Sequence, residues 1–196
     1  MMENILEFLD SKMTKPLLYK SFSESWFHYL FLLILVIGFY FAVTKMKNLN
    51  RKSLNKVFLT YALVLWVFEI YKQIIFTYQA DWNYQWYAFP FQFCSVPMFV
   101  ALIIPFIKNE KLYDGMQTFL GTFAFFAGTA VMIYPSTVFV TTIGINIQTM
   151  IHHGVMSVIG LGLLVNVINL NWKSFLRSML VFLFLIVIYP HIIILL

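Results

Sequence analysis

The side chains that could do chemistry in this sequence are few, and they fall in three short stretches. The only cysteine, Cys94, sits in Phe89-Pro90-Phe91-Gln92-Phe93-Cys94-Ser95-Val96-Pro97. A thiol attacks as thiolate, which requires a base or a cation close by. His152 and His153, adjacent in His152-His153-Gly154, are the candidate bases, and Lys72, three residues after Glu69, is the candidate cation. Gln92 and Ser95 flank the thiol with polar groups suited to binding a substrate carbonyl or its oxyanion. A lone thiol forms no intrachain disulfide and no cysteine cluster. The two histidines lack the i, i+4 His/Glu partners of a helical zinc site, so neither a metal nor another cofactor is expected.

Each of these residues also has a structural reading. A single cysteine on a buried helix commonly serves as a small apolar filler. Glu69 and Lys72 share a helix face and can neutralise each other inside a membrane. Consecutive histidines diverge by about 100° on a helix, so at most one can face a given partner squarely.

The elements that must position these groups follow from composition. Only 11% of the 196 residues are charged while 61% are hydrophobic. Soluble domains carry roughly a quarter of their residues as charges. The chain therefore reads as an all-α polytopic membrane helical bundle, and about 20 apolar residues per crossing allow six transmembrane helices. The predicted spans are 26–43, 57–80, 87–107, 115–134, 148–170 and 178–196, a single transmembrane domain over 26–196. Residues 1–25 precede it as an N-terminal interfacial amphipathic segment, with Met2, Ile5, Leu6, Leu9 and Met13 at helical spacing up to a stop at Pro16. Its early acids, Glu3, Glu7 and Asp10, are the wrong charge for a signal peptide.

Lys45, Lys47, Arg51, Lys52 and Lys56 crowd the first loop with no acid among them. The positive-inside rule makes that loop cytoplasmic and the N-terminus external. Later loops agree: Lys108 and Lys111, then Lys173 and Arg177, fall on the inner side, while Trp82 and Trp86 fall on the outer. The net charge of +5 is thus a topology signal, spread over short loops with no nucleic-acid-binding stripe. With directions assigned, Lys72 lies roughly 12 Å and Glu69 roughly 16 Å below the outer end of their span. Cys94 lies roughly 10 Å deep, and His152 and His153 roughly 6 to 8 Å. His28 and His191 also fall in the outer half. Pro90 and Pro97 predict a bent or opened helix around Cys94.

Pro90-Phe91-Gln92-Phe93-Cys94-Ser95 resembles the Pro-Leu-x-x-Cys-Ser signature of the YwaF-like bacterial integral membrane proteins, distant relatives of an animal multi-span acyltransferase family. An acid in the preceding span (Glu69), a small-residue span ending near proline (Gly128 to Pro135) and a later histidine (His152 or His153) extend the resemblance over about residues 25–170. Phe91 replaces the signature leucine, and relatives carry a further span beyond the position of Leu196. The animal relatives move fatty acyl chains between phospholipids through a cysteine supported by a histidine. The resemblance therefore implies thiol-dependent acyl transfer on membrane lipids, with Cys94 as acyl carrier, His152 or His153 as its base, and Gln92, Ser95, Glu69 and Lys72 around the substrate. A non-catalytic assembly subunit is the alternative that the missing span motivates. A small-molecule or proton transporter with an outward-facing Glu69–Lys72–histidine pocket is another. The expected setting is the bacterial plasma membrane, multi-pass. The expected partners are lipids and either further copies or a membrane subunit, with no nucleic acid.

Overall fold

The computed structural model describes residues 2–90 and 93–195; the side chains of Met2 and of residues 185, 186 and 188–195 also lie outside the description. Among the described residues the chain is helical with no strand. The helices are α1 (Met2–Leu9), α2 (Phe22–Lys45), α3 (Arg51–Gln79), α4 (Val96–Ile103), α5 (Glu110–Phe119), α6 (Phe125–Ile133), α7 (Ile143–Asn166) and α8 (Trp172–Leu195). A π-helical turn, Leu120–Ala124, joins α5 to α6 without a break, so the two run as one rod. Among the described residues four helices are long and apolar enough to cross a membrane: α2, α3, the α5–α6 rod and α7. Along α2 the apolar residues Leu33, Ile34, Val36, Ile37 and Tyr40 are exposed, which in water would be costly and in lipid is the expected surface.

The expected span over 87–107 is not a continuous helix. A 3₁₀ turn, Trp86–Ala88, comes first, and the apolar helix proper runs only from Val96 to Phe106. Proline is the cause. Phe89, forced out of the helical region by the proline that follows, is extended at ψ 136°. Pro97 stands in the first turn of α4, where its missing N–H costs nothing and its fixed φ starts a helix. Cys94 therefore lies in the turn before a helix rather than on a helix face.

The other spans begin earlier than hydropathy suggests, and in three of them a capped end carries the helix past the apolar core. The Asn50 side chain accepts from the Ser53 amide at 2.9 Å, Asn109 from Lys111 and Leu112 at 3.0 and 3.1 Å, and Asn171 from Lys173 and Ser174 at 3.0 and 3.1 Å. These three asparagines start α3, α5 and α8 at one end of the molecule. Polar contacts hold that end together. Arg51 pairs with Glu110 and lies 4.0 Å over the Tyr113 ring, Arg177 pairs with Asp114 at 2.7 Å, and Asn166 donates to the Val43 carbonyl at 3.1 Å. The basic loops thus converge on one face of the bundle.

At the opposite end the N-terminal helix stops at Leu9 rather than near Pro16, and the chain beyond it runs as a strap. Lys12 forms an antiparallel bridge with Thr142, in which the Met13 amide donates to the Thr141 carbonyl at 2.7 Å and the Ile143 amide to the Ser11 carbonyl at 3.0 Å. Asp10 accepts from Lys12 at 2.7 Å and from Gln79 at 2.5 Å. Partial burial alone would raise that carboxyl's pKa, but the Lys12 and Gln79 hydrogen bonds outweigh it and hold it below the ordinary range. The strap therefore stays charged at neutral pH.

α7 occupies the centre, against α2, α3 and the α5–α6 rod. It buries Asn146, Gln148, His152, His153 and Ser157 along with its apolar residues. Glycines set the spacing between the rod and α7. A Cβ on Gly128 would come within 2.7 Å of the His153 carbonyl oxygen, and one on Gly160 within 2.6 Å of Phe125 Cβ. Close backbone approach of this kind is how helices associate where lipid removes the hydrophobic drive.

Candidate functional site

α3, the turn at residues 93–95 and α7 converge on a cavity of about 500 Å³ at the end away from the basic loops. Cys94, Ser95, Glu69, Lys72, His152 and His153 all line it, so the structure brings together six of the seven residues singled out from sequence. The seventh, Gln92, lies outside the described residues. The cavity also reaches Lys12, Gln79 and Thr142, so the N-terminal strap forms part of its rim. His28 belongs elsewhere: its Nε2 donates to the Met132 carbonyl at 2.9 Å in a separate apolar cluster. The side chain of His191 lies outside the described residues.

α7 can offer two consecutive histidines to buried surroundings because helices flank it on several sides. His152 and His153 are 2% and 6% exposed, with ring centroids 5.3 Å apart. Their hydrogen bonds separate their roles. His152 Nε2 lies 2.9 Å from the backbone carbonyl oxygen of Cys94. A carbonyl only accepts, so Nε2 carries the proton and Nδ1, buried and without a partner, keeps the lone pair. His153 has the reverse tautomer: Nδ1–H donates to the Thr149 carbonyl one turn earlier at 2.7 Å, leaving the lone pair on Nε2. His152 is therefore tied to the main chain that carries the thiol, whereas His153 is tied only to its own helix.

On α3, Lys72 Nζ is 2.9 Å from Glu69 Oε1, with side chains 12% and 2% exposed. The same oxygen accepts from Gln73 Nε2 at 2.6 Å, and Gln73 also donates to the Ala88 carbonyl at 2.7 Å. Gln73 thus pins the 3₁₀ turn that leads into the Cys94 segment, a role its i, i+4 spacing from Glu69 permits but does not reveal. Glu69 Oε2 is buried without a partner. Lys72 lines the cavity together with Cys94, His152 and His153, so its charge faces all three.

Chemically, the cavity offers a thiol, two neutral imidazoles with opposite lone pairs, one carboxylate and two cations, Lys72 within it and Lys12 in the strap, walled by residues such as Val131 and Ile145. It suits nucleophilic and acid–base work on a substrate with an apolar part. Among the described residues no three His, Cys, Asp or Glu side chains stand together as a metal site.

The sequence profile of the TMEM164 family matches residues 21–194. The match takes in α2 to α7, α8 up to residue 194, and every cavity residue named above except Lys12. No curated protein and no solved structure matches the chain.

Proposed function

The chain belongs to the TMEM164 family of membrane proteins, and on that premise we propose that it transfers acyl groups between membrane lipids through Cys94. The observation that carries this reading is the hydrogen bond from His152 to the Cys94 carbonyl, within a cavity that also holds His153 and Lys72. His153 Nε2 takes the thiol proton while Lys72 stabilises the thiolate. The sulfur attacks the acyl ester carbonyl, the C–O bond breaks, and the departing alkoxide takes the proton back from His153, leaving a thioester. An acceptor hydroxyl, deprotonated by the same imidazole, then attacks the thioester. The C–S bond breaks and the thiolate is restored. Ser95 supports the oxyanion, and Gln92 is placed beside it by sequence. Glu69 holds Lys72 at the cavity and His152 holds the Cys94 main chain.

The wider setting follows the charge pattern. The chain lies in the bacterial plasma membrane with six crossings, N-terminus outside, the Val96–Phe106 helix and α8 completing the four long spans. The cavity then opens toward the outer leaflet. Cys94→Ala and Cys94→Ser are expected to abolish acyl exchange between phospholipids in proteoliposomes and labelling by a thiol-reactive lipid probe. Turnover unchanged in either variant overturns the mechanism. A second reading rests on the unpartnered Oε2 of Glu69, which suits a bound cation or a relayed proton. Proteoliposome flux that requires Glu69 but tolerates Cys94→Ala would select it.

A further inference from the structure

A second recess lies at the basic end, away from the Cys94 cavity. There α4, α5 and α8 enclose a groove of about 570 Å³. Phe99, Ile103, Met116 and Phe184 are among its apolar walls, and Lys111 and Arg177 are its charged members. Charge and apolar surface are segregated along it. Lys111 is in the first turn of α5 and Arg177 in the second turn of α8. Met116 and Phe184 lie roughly 8 and 10 Å farther along the same helices. Gly115 creates the junction: a Cβ there would meet Arg177 Cβ at 3.0 Å and the Arg177 carbonyl oxygen at 3.2 Å, so only glycine lets α8 come this close to α5.

The charges at this end leave a positive excess. Glu110 is engaged by Arg51, and Asp114 by one nitrogen of Arg177, whose guanidinium has further N–H donors. Among the described residues the Lys111 ammonium has no carboxylate within ion-pairing distance. Lys173 stands one turn before Arg177 on α8 and adds to the same field.

We infer that this groove is a binding site for one anionic phospholipid, its phosphate held by Lys111 and Arg177 and an acyl chain laid between α4, α5 and α8. A soluble anion would use the cations but leave the apolar walls exposed, and a zwitterionic lipid would bring a cation of its own with its phosphate and leave the positive excess uncompensated. The lipid also bridges α8 to the rest of the bundle, which α8 otherwise reaches mainly through α5. The site stands independently of the chemistry at Cys94 and of the assigned orientation.

The test uses the full chain in nanodiscs containing spin-labelled phosphatidylglycerol or spin-labelled phosphatidylcholine, with the motionally restricted lipid read by electron paramagnetic resonance. Phosphatidylglycerol is expected to be retained in preference to phosphatidylcholine. Lys111→Gln, at an exposed position, is expected to reduce that preference about fivefold, the worth of one cation at a charged surface. Leu180→Trp, which fills the groove from an exposed site on α8, is expected to remove retention of both lipids. Excess inorganic phosphate is expected to leave phosphatidylglycerol in place. Equal retention of the two lipids overturns the proposal, as does a preference that Lys111→Gln leaves intact. Displacement by inorganic phosphate, or a Leu180→Trp variant that changes oligomeric state instead of lipid retention, overturns it too.

Discussion

At Cys94 the thiol is held by its neighbours' backbone as much as by their side chains. His152 uses the nitrogen that could reach a substrate to bind the Cys94 carbonyl instead. His153 keeps Nε2 for proton transfer by giving Nδ1–H to Thr149. On the proposed mechanism the two rings are therefore separable by mutation. Glutamine reproduces an N–H donor at the position of Nε2 but supplies no base. His152→Gln is expected to keep most of the acyl exchange, whereas His153→Gln is expected to lower kcat by roughly 10²- to 10⁴-fold, the usual worth of a general base. His152→Ala removes the part-buried hydrogen bond to the Cys94 carbonyl and is expected to lower stability by about 0.5–1.5 kcal/mol. Steady-state kinetics with thermal midpoints in detergent check all three. Equal loss of kcat in the two glutamine variants would reverse the assignment. Nothing in the sequence separates His152 from His153, because the tautomer each adopts depends on which carbonyl the fold brings to which nitrogen.

The helices illustrate how far apolar patterning goes. Hydropathy locates the four long spans and even the gap between α3 and α4, but it misses the ends, because Asn50, Asn109 and Asn171 extend the helices through residues whose charge looks like loop. It also reads 87–107 as one crossing, although Pro90 and Pro97 announce the opening in which Cys94 lies. Packing between elements depends on glycines whose importance is invisible without a partner. Gly128→Ala places a methyl about 2.7 Å from the His153 carbonyl oxygen and 2.8 Å from Ser157 Oγ, so α6 must move off α7. A loss of about 1–3 kcal/mol is expected, as for other overpacked sites. Gly154→Ala is the internal control, since its Cβ would meet nothing nearer than Met132 Cε at 3.5 Å. Unfolding of both variants in detergent is the measurement. An equal midpoint for the two would show that the approach of α6 to His153 is not the constraint.

At the scale of the whole molecule two ends are chemically distinct. One gathers the basic loops, the asparagine caps and the α4–α5–α8 groove; the other carries the strap, Trp82 and Trp86, and the mouth of the Cys94 cavity. With the proposed orientation, Asn83→Cys in a Cys94→Ala background is expected to react with a membrane-impermeant maleimide on intact cells. Lys47→Cys is expected to react only after permeabilisation. The opposite pattern would turn the cavity toward the cytoplasm and place the acyl chemistry on the inner leaflet.

The sequence by itself determined that this is a helical membrane protein, where most of its spans lie, and that its rare reactive groups share a depth. Those properties depend on composition and on the rise per residue, both local quantities. Only the tertiary structure decided that Gln73 holds the Ala88 turn, that Asp10 and Lys12 reach Thr142 at the rim of the cavity, and that His152 meets the backbone of Cys94 rather than standing free. Each of these is a contact between segments whose spacing along the chain carries no information about their spacing across the bundle. That second spacing is set by small residues such as Gly128, which let one helix come close enough to another for a single hydrogen bond to form.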